Sequence, residues 1–273
     1  MECYSALLIL AFLLSSISSI SSQDAITHFC LYEKGNYTAN DNYSANLNLI
    51  VSSFSSVSKN DYGFYNMSVG QHSDRVNAIA LCRGDKRPDE CNTCIRTAVK
   101  NITVDLCPNL KEAIIWRIDN CMVRYSNREI FGAMETDPSF SANHPNNVTD
   151  VEGFNKILRS LLDSLKTTAI SGDFRRKYAA GNATGPNFLT IYAQVQCTPD
   201  LSELECDDCL VNYFEGLPGC CGSKQGGKIV GPSCYFRFEI YRFYEPEVYL
   251  SKTGSPNIST KNTTISKEFS VNL

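Results

Sequence analysis

Apolar residues recur along this chain in two periods, and the same succession of periods occurs twice. Leu47, Ile50, Val51, Phe54 and Val57 fall at helical spacing, and Phe154, Ile157, Leu158, Leu161, Leu162 and Leu165 do so again, more strongly. Such stripes are the core-facing sides of amphipathic helices rather than cofactor contacts. After each comes a strand-like stretch that ends in a cysteine, 76–82 and 189–197, and then a second helix opening near Pro88 or Ser202. Two further strands finish each series, 112–118 and 121–126 in the first, 227–231 and 234–244 in the second. The pattern predicts an α+β fold: two tandem domains, each with two helices packed on one face of an antiparallel sheet.

The cysteines show that the two series are copies of one unit. Cys82, Cys91 and Cys94 recur as Cys197, Cys206 and Cys209, each 115 residues later; Cys107 and Cys121 recur as Cys220 and Cys234, each 113 later. Local text agrees, since Arg124 and Tyr125 after Cys121 align with Arg237 and Phe238 after Cys234. A period of this length marks duplicated domains, because stacked solenoids repeat every 20–50 residues or so. The expected layout is a leader over 1–22, a first domain over 23–131, a linker over 132–147, a second domain over 148–246 and a tail over 247–273. The linker is short and contains proline, which predicts that the domains pack as a fixed pair.

The leader has an apolar stretch from Ala6 to Leu14 followed by small residues, the layout of a secretory signal peptide, with cleavage expected just before Gln23. That stretch is too short to span a bilayer core of about 30 Å. Downstream, no further apolar run has membrane length, so the mature chain is expected to be exported and soluble. The tail, rich in Ser, Thr, Asn and Lys, reads as disordered.

Export changes how the cysteines are read. Of 13, Cys3 lies in the leader and 12 remain, an even number in a compartment where disulfides persist. The pairs Cys91/Cys94 and Cys206/Cys209 sit three residues apart on the second helix, on one face pointing into the domain. A doubled CxxC also fits zinc or a thioredoxin-like redox motif, but zinc requires thiolates and the redox motif a strand-to-helix turn, so a structural clamp is preferred. Eight Asn-x-Ser/Thr sequons, at Asn36, Asn42, Asn66, Asn101, Asn147, Asn182, Asn257 and Asn262, agree with the secretory route.

The net charge of −4 leaves no basic footprint for nucleic acid or an anionic membrane. Three histidines, His28, His72 and His144, all in polar sequence, and the absence of a nucleophile elbow, phosphate loop or zincin motif predict no enzyme, metal or cofactor. One stretch has the composition of a binding surface. The last strand alternates Phe236, Phe238 and Ile240 with Tyr235, Arg237, Glu239 and Tyr241. The first set reads as core. The second reads either as a solvated sheet face or as aromatic surface with a charged pair, able to stack on sugar rings or seat a protein partner.

The twofold pattern Cys82-x8-Cys91-x2-Cys94 with Cys107 and Cys121, repeated as Cys197-x8-Cys206-x2-Cys209 with Cys220 and Cys234, resembles that of the plant cysteine-rich repeat secretory proteins, whose unit is the ginkbilobin-like domain. The resemblance covers nearly the whole mature chain. The same tandem forms the extracellular part of cysteine-rich receptor-like kinases and plasmodesmata-located proteins, and this chain resembles the secreted branch or a receptor relative that lost its signalling half. The resemblance implies the bridges Cys82–Cys91, Cys94–Cys121, Cys30–Cys107, Cys197–Cys206 and Cys209–Cys234. The offset that maps Cys30 onto the second copy lands on Pro145, which leaves Cys220 beside Cys221 as an expected vicinal pair.

The resemblance also implies a secreted, non-enzymatic binding module of the plant extracellular space, acting in defence or cell-surface signalling on a glycan or a protein ectodomain. A directly antifungal effector is the alternative. Family members that bind mannose use an asparagine, an arginine and a glutamate at fixed places around the cysteines. In the first copy these places hold Leu31, Ile115 and Ser126, which supply none of those groups; in the second, Lys228 and Glu239 stand at the last two. Lysine lacks the planar fork of arginine, so only the glutamate is kept in kind.

Overall fold

The computed structural model describes residues 26–56, 62–118 and 120–245. The leader over 1–22, the tail over 247–273, Val57, Asn257 and Asn262 lie outside the described residues. The first domain runs β1 (Ile26–Cys30), α1 (Asn42–Ser55), β2 (Phe64–Val69), β3 (Val76–Cys82), α2 (Pro88–Lys100), a π-turn (Asn101–Leu106), β4 (Ala113–Arg117) and β5 (Cys121–Ser126). The second repeats it as β6 (Phe140–Asn143), α3 (Val151–Ser171), β7 (Tyr178–Thr184), β8 (Thr190–Cys197), α4 (Glu203–Cys221), β9 (Gly226–Val230) and β10 (Cys234–Glu239). Each sheet is antiparallel with five strands, in the orders β1-β4-β5-β3-β2 and β6-β9-β10-β8-β7.

The predicted stripes become the cores. Leu47, Ile50 and Phe54 of α1 pack with Ile95 and Val99 of α2 over Ala78, Ala80, Ile115 and Val123. Phe154, Leu158, Leu162 and Leu165 of α3 pack with Leu210 and Phe214 of α4 over Ala193, Val195, Phe236 and Phe238. Local signals set the helix starts. Pro88 opens α2 with Glu90 accepting from the Arg87 backbone N–H, and Ser202 and Glu205 form a reciprocal capping box at α4.

Disulfides fix the second helix of each domain to the two middle strands. Cys82 of β3 stands directly opposite Cys121 of β5, and each bonds to the helix instead of to the other, as Cys82–Cys91 and Cys94–Cys121. The second domain does the same with Cys197 opposite Cys234, through Cys197–Cys206 and Cys209–Cys234. Cys30–Cys107 ties strand β1 to the segment after the π-turn, and Cys220–Cys221 joins neighbours whose Cα atoms are 3.8 Å apart at the end of α4.

Two features depart from the sequence reading. Each sheet has two more strands than the three expected per copy: β1, β6 and β7 are outer strands of short or small-residue text, while β2 alternates Tyr65, Met67 and Val69 with Asn66 and Ser68, a period-two signal that the three-strand expectation leaves out. The segment 132–147 is also not all linker, since Phe140–Asn143 forms β6 and pairs with β9.

The first sheet is apolar on both faces. In β4 and β3, Ala113, Ile115, Ala78 and Ala80 face the helices, while Ile114, Trp116, Ile79 and Leu81 face away, joined by Ile118 just after β4 and Met122 of β5. That second face packs against Val230, Tyr235 and Phe140 of the second domain, with Ile130 and Phe131 from the connection, so the seam between the domains is a third apolar cluster. Trp116, 5% exposed, lies at its centre; its indole N–H donates to the Gly231 carbonyl at 3.2 Å, and Phe29 meets the ring edge-on at 5.9 Å. A side chain at Gly231 would collide with the Tyr213 hydroxyl, so only glycine lets this carbonyl reach the indole.

The connection carries a charged clamp. Glu112, almost fully buried, accepts from Arg128 at 2.6 Å and from the Ser126 hydroxyl at 2.9 Å, and Arg124 lies 3.6 Å away. Glu135, in the connection, pairs with both Arg124 and Arg128 of the first domain, while its backbone N–H donates to Ser233 of the second at 2.9 Å. Burial alone would raise the Glu135 carboxyl, but hydrogen bonds and charge from Arg128 and Arg124 outweigh it and hold the group below the ordinary carboxylate range.

Two outcomes follow from the seam. Trp116→Ala is expected to cost about 3 kcal/mol or more in denaturant unfolding and to make the domains separable by small-angle scattering; an unchanged midpoint and radius of gyration would refute a seam centred on this ring. Because the folded-state Glu135 carboxyl is depressed, its contribution is present above the ordinary carboxylate pKa and is lost as pH falls through the folded value. The thermal midpoint of the wild type is therefore expected to drop from pH 5 to pH 3 by more than that of Glu135→Gln, and parallel pH profiles would count against the clamp.

Candidate ligand-binding face

The residues singled out on the last strand lie on one face, as their alternation requires, but that face turns toward the first domain. Register places Arg237 between Lys228 of β9 and Gln194 of β8, Tyr235 between Val230 and Gln196, and Glu239 between Gly226 and Tyr192. Phe236 and Phe238 point the other way, into the second core. Arg237 and Glu239 are only 9% and 8% exposed, and Tyr235 belongs to the seam cluster. The reading of these three as a solvated sheet face is corrected by the packing: the neighbouring domain and the residues after β10 cover them. Tyr241 stays about half exposed.

Arg237 and Glu239 are committed to each other. The guanidinium donates to Glu239 Oε1 through Nε at 3.1 Å and Nη2 at 3.0 Å, and Nη2 also donates to the Tyr241 hydroxyl at 3.1 Å. Its plane lies 4.3 Å from the Phe243 ring centroid. Glu239 Oε2 is buried, has no hydrogen-bond partner among the described residues, and leans over Gly226, where a side chain would displace it. At the outer end of this row an aromatic and cationic patch reaches solvent: Arg242 lies over Tyr192, and Tyr192 packs on Tyr244.

Two glutamines that sequence reasoning did not single out hold the polar half of the seam. Gln196 Nε2 donates to the Cys82 carbonyl at 3.2 Å and its Oε1 accepts from the Gly84 N–H at 3.2 Å, while Gln194 Oε1 accepts from the Tyr178 hydroxyl at 3.0 Å. Between these groups and Trp116, Leu81 and Met122 lies a narrow cavity of about 60 Å³, with Arg83, Arg117, Lys228 and Arg237 among its lining. The chain leaving β10 also returns to the first domain. The Phe243 carbonyl accepts from Arg83 at 3.1 Å, and the Glu245 N–H donates to Asp85 at 2.9 Å, on the buried Arg83–Asp85 pair.

The places matching the family's mannose site are not assembled. In the first domain Ile115 is core and the Ser126 hydroxyl donates to Glu112. In the second, Lys228 lies partly exposed in β9, cross-strand from an arginine already bound to Glu239. Among the described residues, one group of metal-ligating atoms comes together, His28 with Cys30 and Cys107, and its two sulfurs are bonded to each other.

The geometry makes Arg237 a structural residue. Arg237→Ala leaves the Glu239 carboxylate buried and unpaired and is expected to destabilise the chain by roughly 3 kcal/mol. Glu239→Gln, which keeps an acceptor for the guanidinium, is expected to cost less than half of that. Equal, small effects of both in urea unfolding would mean that the pair is open to solvent.

Comparison with known proteins follows the same organisation. A family model described as salt stress response/antifungal matches residues 29–128 and 140–241, one match per domain. The chain is 43% identical over 240 residues to cysteine-rich receptor-like protein kinase 29 of Arabidopsis thaliana, which takes in 84% of this chain but 34% of the kinase, so the chain spans about a third of that relative's length. It is 37% identical over 242 residues to cysteine-rich repeat secretory protein 38 of the same plant, covering 87% of this chain and 94% of that one. Among solved structures, the tandem DUF26 ectodomain of the Arabidopsis thaliana cysteine-rich receptor-like protein PDLP8 matches with a TM-score of 0.67 at 26% identity, over 78% of this chain and 95% of that chain. With the cysteine frame present twice, both sheets in the same order and both domains matched by one model, this chain belongs to the salt stress response/antifungal family, as a tandem of two such domains.

Proposed function

We propose that the chain is a secreted, non-enzymatic binding module of the plant extracellular space that recognises a protein ectodomain or a glycan in defence or cell-surface signalling. The observation that carries this reading is the rigid tandem. Two domains are joined by an apolar seam and a charged clamp; the tandem has the fold of a receptor-like ectodomain and is similar in sequence, over nearly its whole length, to a secretory protein. In addition, no helix among the described residues is long and apolar enough to cross a membrane.

Of the two ligand classes, the packing favours a protein. Arg237 is already bound to Glu239 Oε1 and both side chains are buried, so sugar hydroxyls do not meet an accessible polar pair there. The exposed groups nearest to them, Tyr241 and Arg242 beside Tyr192, have the aromatic and arginine character of protein-recognition surfaces. The antifungal wording of the family model supports the second reading, a directly growth-inhibiting effector.

A glycan array that includes mannans, run with the oxidised secreted protein and with Lys228→Ala and Glu239→Ala, is expected to show no mannose-selective signal. Mannose binding that disappears in both variants, with their folds intact, would overturn the preference for a protein ligand. Fungal growth inhibition by the purified protein at micromolar dose would replace the binding-module reading by the effector.

A further inference from the structure

The two sheets have four open edges, β1 and β2 in the first and β6 and β7 in the second. An open edge presents unpaired backbone donors and acceptors and pairs readily with another chain unless it is blunted by charge, proline or cover. The four strands read ITHFC, FYNMSV, FSAN and YAAGNAT, and none contains Lys, Arg, Asp, Glu or Pro. Charge and proline, two of the usual sequence devices against edge pairing, are therefore missing from all four.

Each edge instead carries one exposed sequon. Asn66 lies within β2 and Asn182 within β7. Asn36 and Asn147 lie just beyond β1 and β6, where each prolongs the edge through a single antiparallel bridge, Asn36 to Leu110 and Asn147 to Lys224. The acceptor-motif hydroxyl residues Thr38, Ser68, Thr149 and Thr184 are all exposed. Asn182 faces the Tyr244 hydroxyl; a glycosylated amide keeps one N–H, which is enough for that contact.

The two other described sequons lie away from the sheet edges, and their hydroxyl residues Ser44 and Thr103 are buried. Asn42 is the first residue of α1, gives its amide to Asp74 at 3.1 Å, and is followed by the buried Tyr43 and Ser44. Asn101 opens the π-turn; its amide donates to Asp105 at 3.1 Å, its carbonyl accepts from Arg117 at 3.4 Å, and the buried Thr103 hydroxyl donates to the Val99 carbonyl.

We propose that Asn36, Asn66, Asn147 and Asn182 carry N-linked glycans, that Asn42 and Asn101 do not, and that the four glycans cover the four open sheet edges and keep the protein from pairing with copies of itself. In the modification, the asparagine Nδ2 attacks C1 of the reducing-end sugar of a lipid-pyrophosphate-linked oligosaccharide. An N–C bond forms, the C–O bond to the pyrophosphate breaks, the amide releases one proton, and the lipid pyrophosphate leaves. A bulky group on either face of an edge strand blocks the in-plane approach of a second strand.

The inference rests on the export proposed above, and the test separates the two. The full chain is expressed in a plant or other eukaryotic host limited to high-mannose glycans, and occupancy is mapped on protein recovered from the medium by peptide mass after peptide-N-glycosidase treatment in heavy-oxygen water. Label at the four edge asparagines and none at Asn42 or Asn101 is expected. Endoglycosidase trimming of the folded protein is then expected at least to double its light-scattering mass at high concentration, as is a variant with all four changed to Gln. Exported protein with glycan at Asn101, with a bare edge site, or with monomeric mass after trimming overturns the inference alone; unglycosylated protein retained in the cells overturns the export reading with it.

Discussion

The first sheet has no face to give to solvent. Its paired inner strands, Val76–Cys82 and Cys121–Ser126, are buried at every position, with the helices over one side and the second domain over the other. An antiparallel sheet of a lone domain usually keeps one wet face, and at roughly 25 cal/mol per Å² of apolar surface the seam side could not be left exposed without a large cost. The tandem is therefore one folding and working unit in this chain. The second sheet answers with a less apolar surface, on which Gln196 reaches the backbone at Cys82 and Gly84 and Arg237 pairs with Glu239.

The duplicated arginines show how one frame was resolved in two ways. Arg124 and Arg237 hold equivalent places in β5 and β10, and each faces the seam side of its sheet. Arg124 pairs with Glu135 of the connection and lies beside Glu112, so its charge serves the link between domains. Arg237 pairs within its own strand and stacks on Phe243, so its charge fixes the path of the chain after the last strand. Buried charges are tolerated in both places because a carboxylate meets each guanidinium.

The long helices and the cysteine frame were legible because each repeats a short-range rule: a 3.6-residue stripe, a cysteine three residues from the next, a capping box at Ser202. Most edge strands were not, since YAAGNAT is built of small residues and FSAN is too short for its alternation to separate it from loop, although FYNMSV carries a period-two signal. The seam was legible in part. Uninterrupted apolar text such as Ala113–Arg117, AIIWR, is the mark of a strand covered on both sides, and reading it that way points to a second layer over the sheet. Tyr235, Arg237 and Glu239 misled for the opposite reason: their composition is that of a wet face, and the other domain together with the chain after β10 buries them.

The return of the chain to the first domain after β10 has a mechanical meaning. Glu245 donates to Asp85, and Phe243 accepts from Arg83, so the polypeptide leaves the tandem from the first domain's surface although it belongs in sequence to the second. Tension applied to whatever follows residue 245 is divided between both domains at their junction instead of peeling the last strand from its sheet.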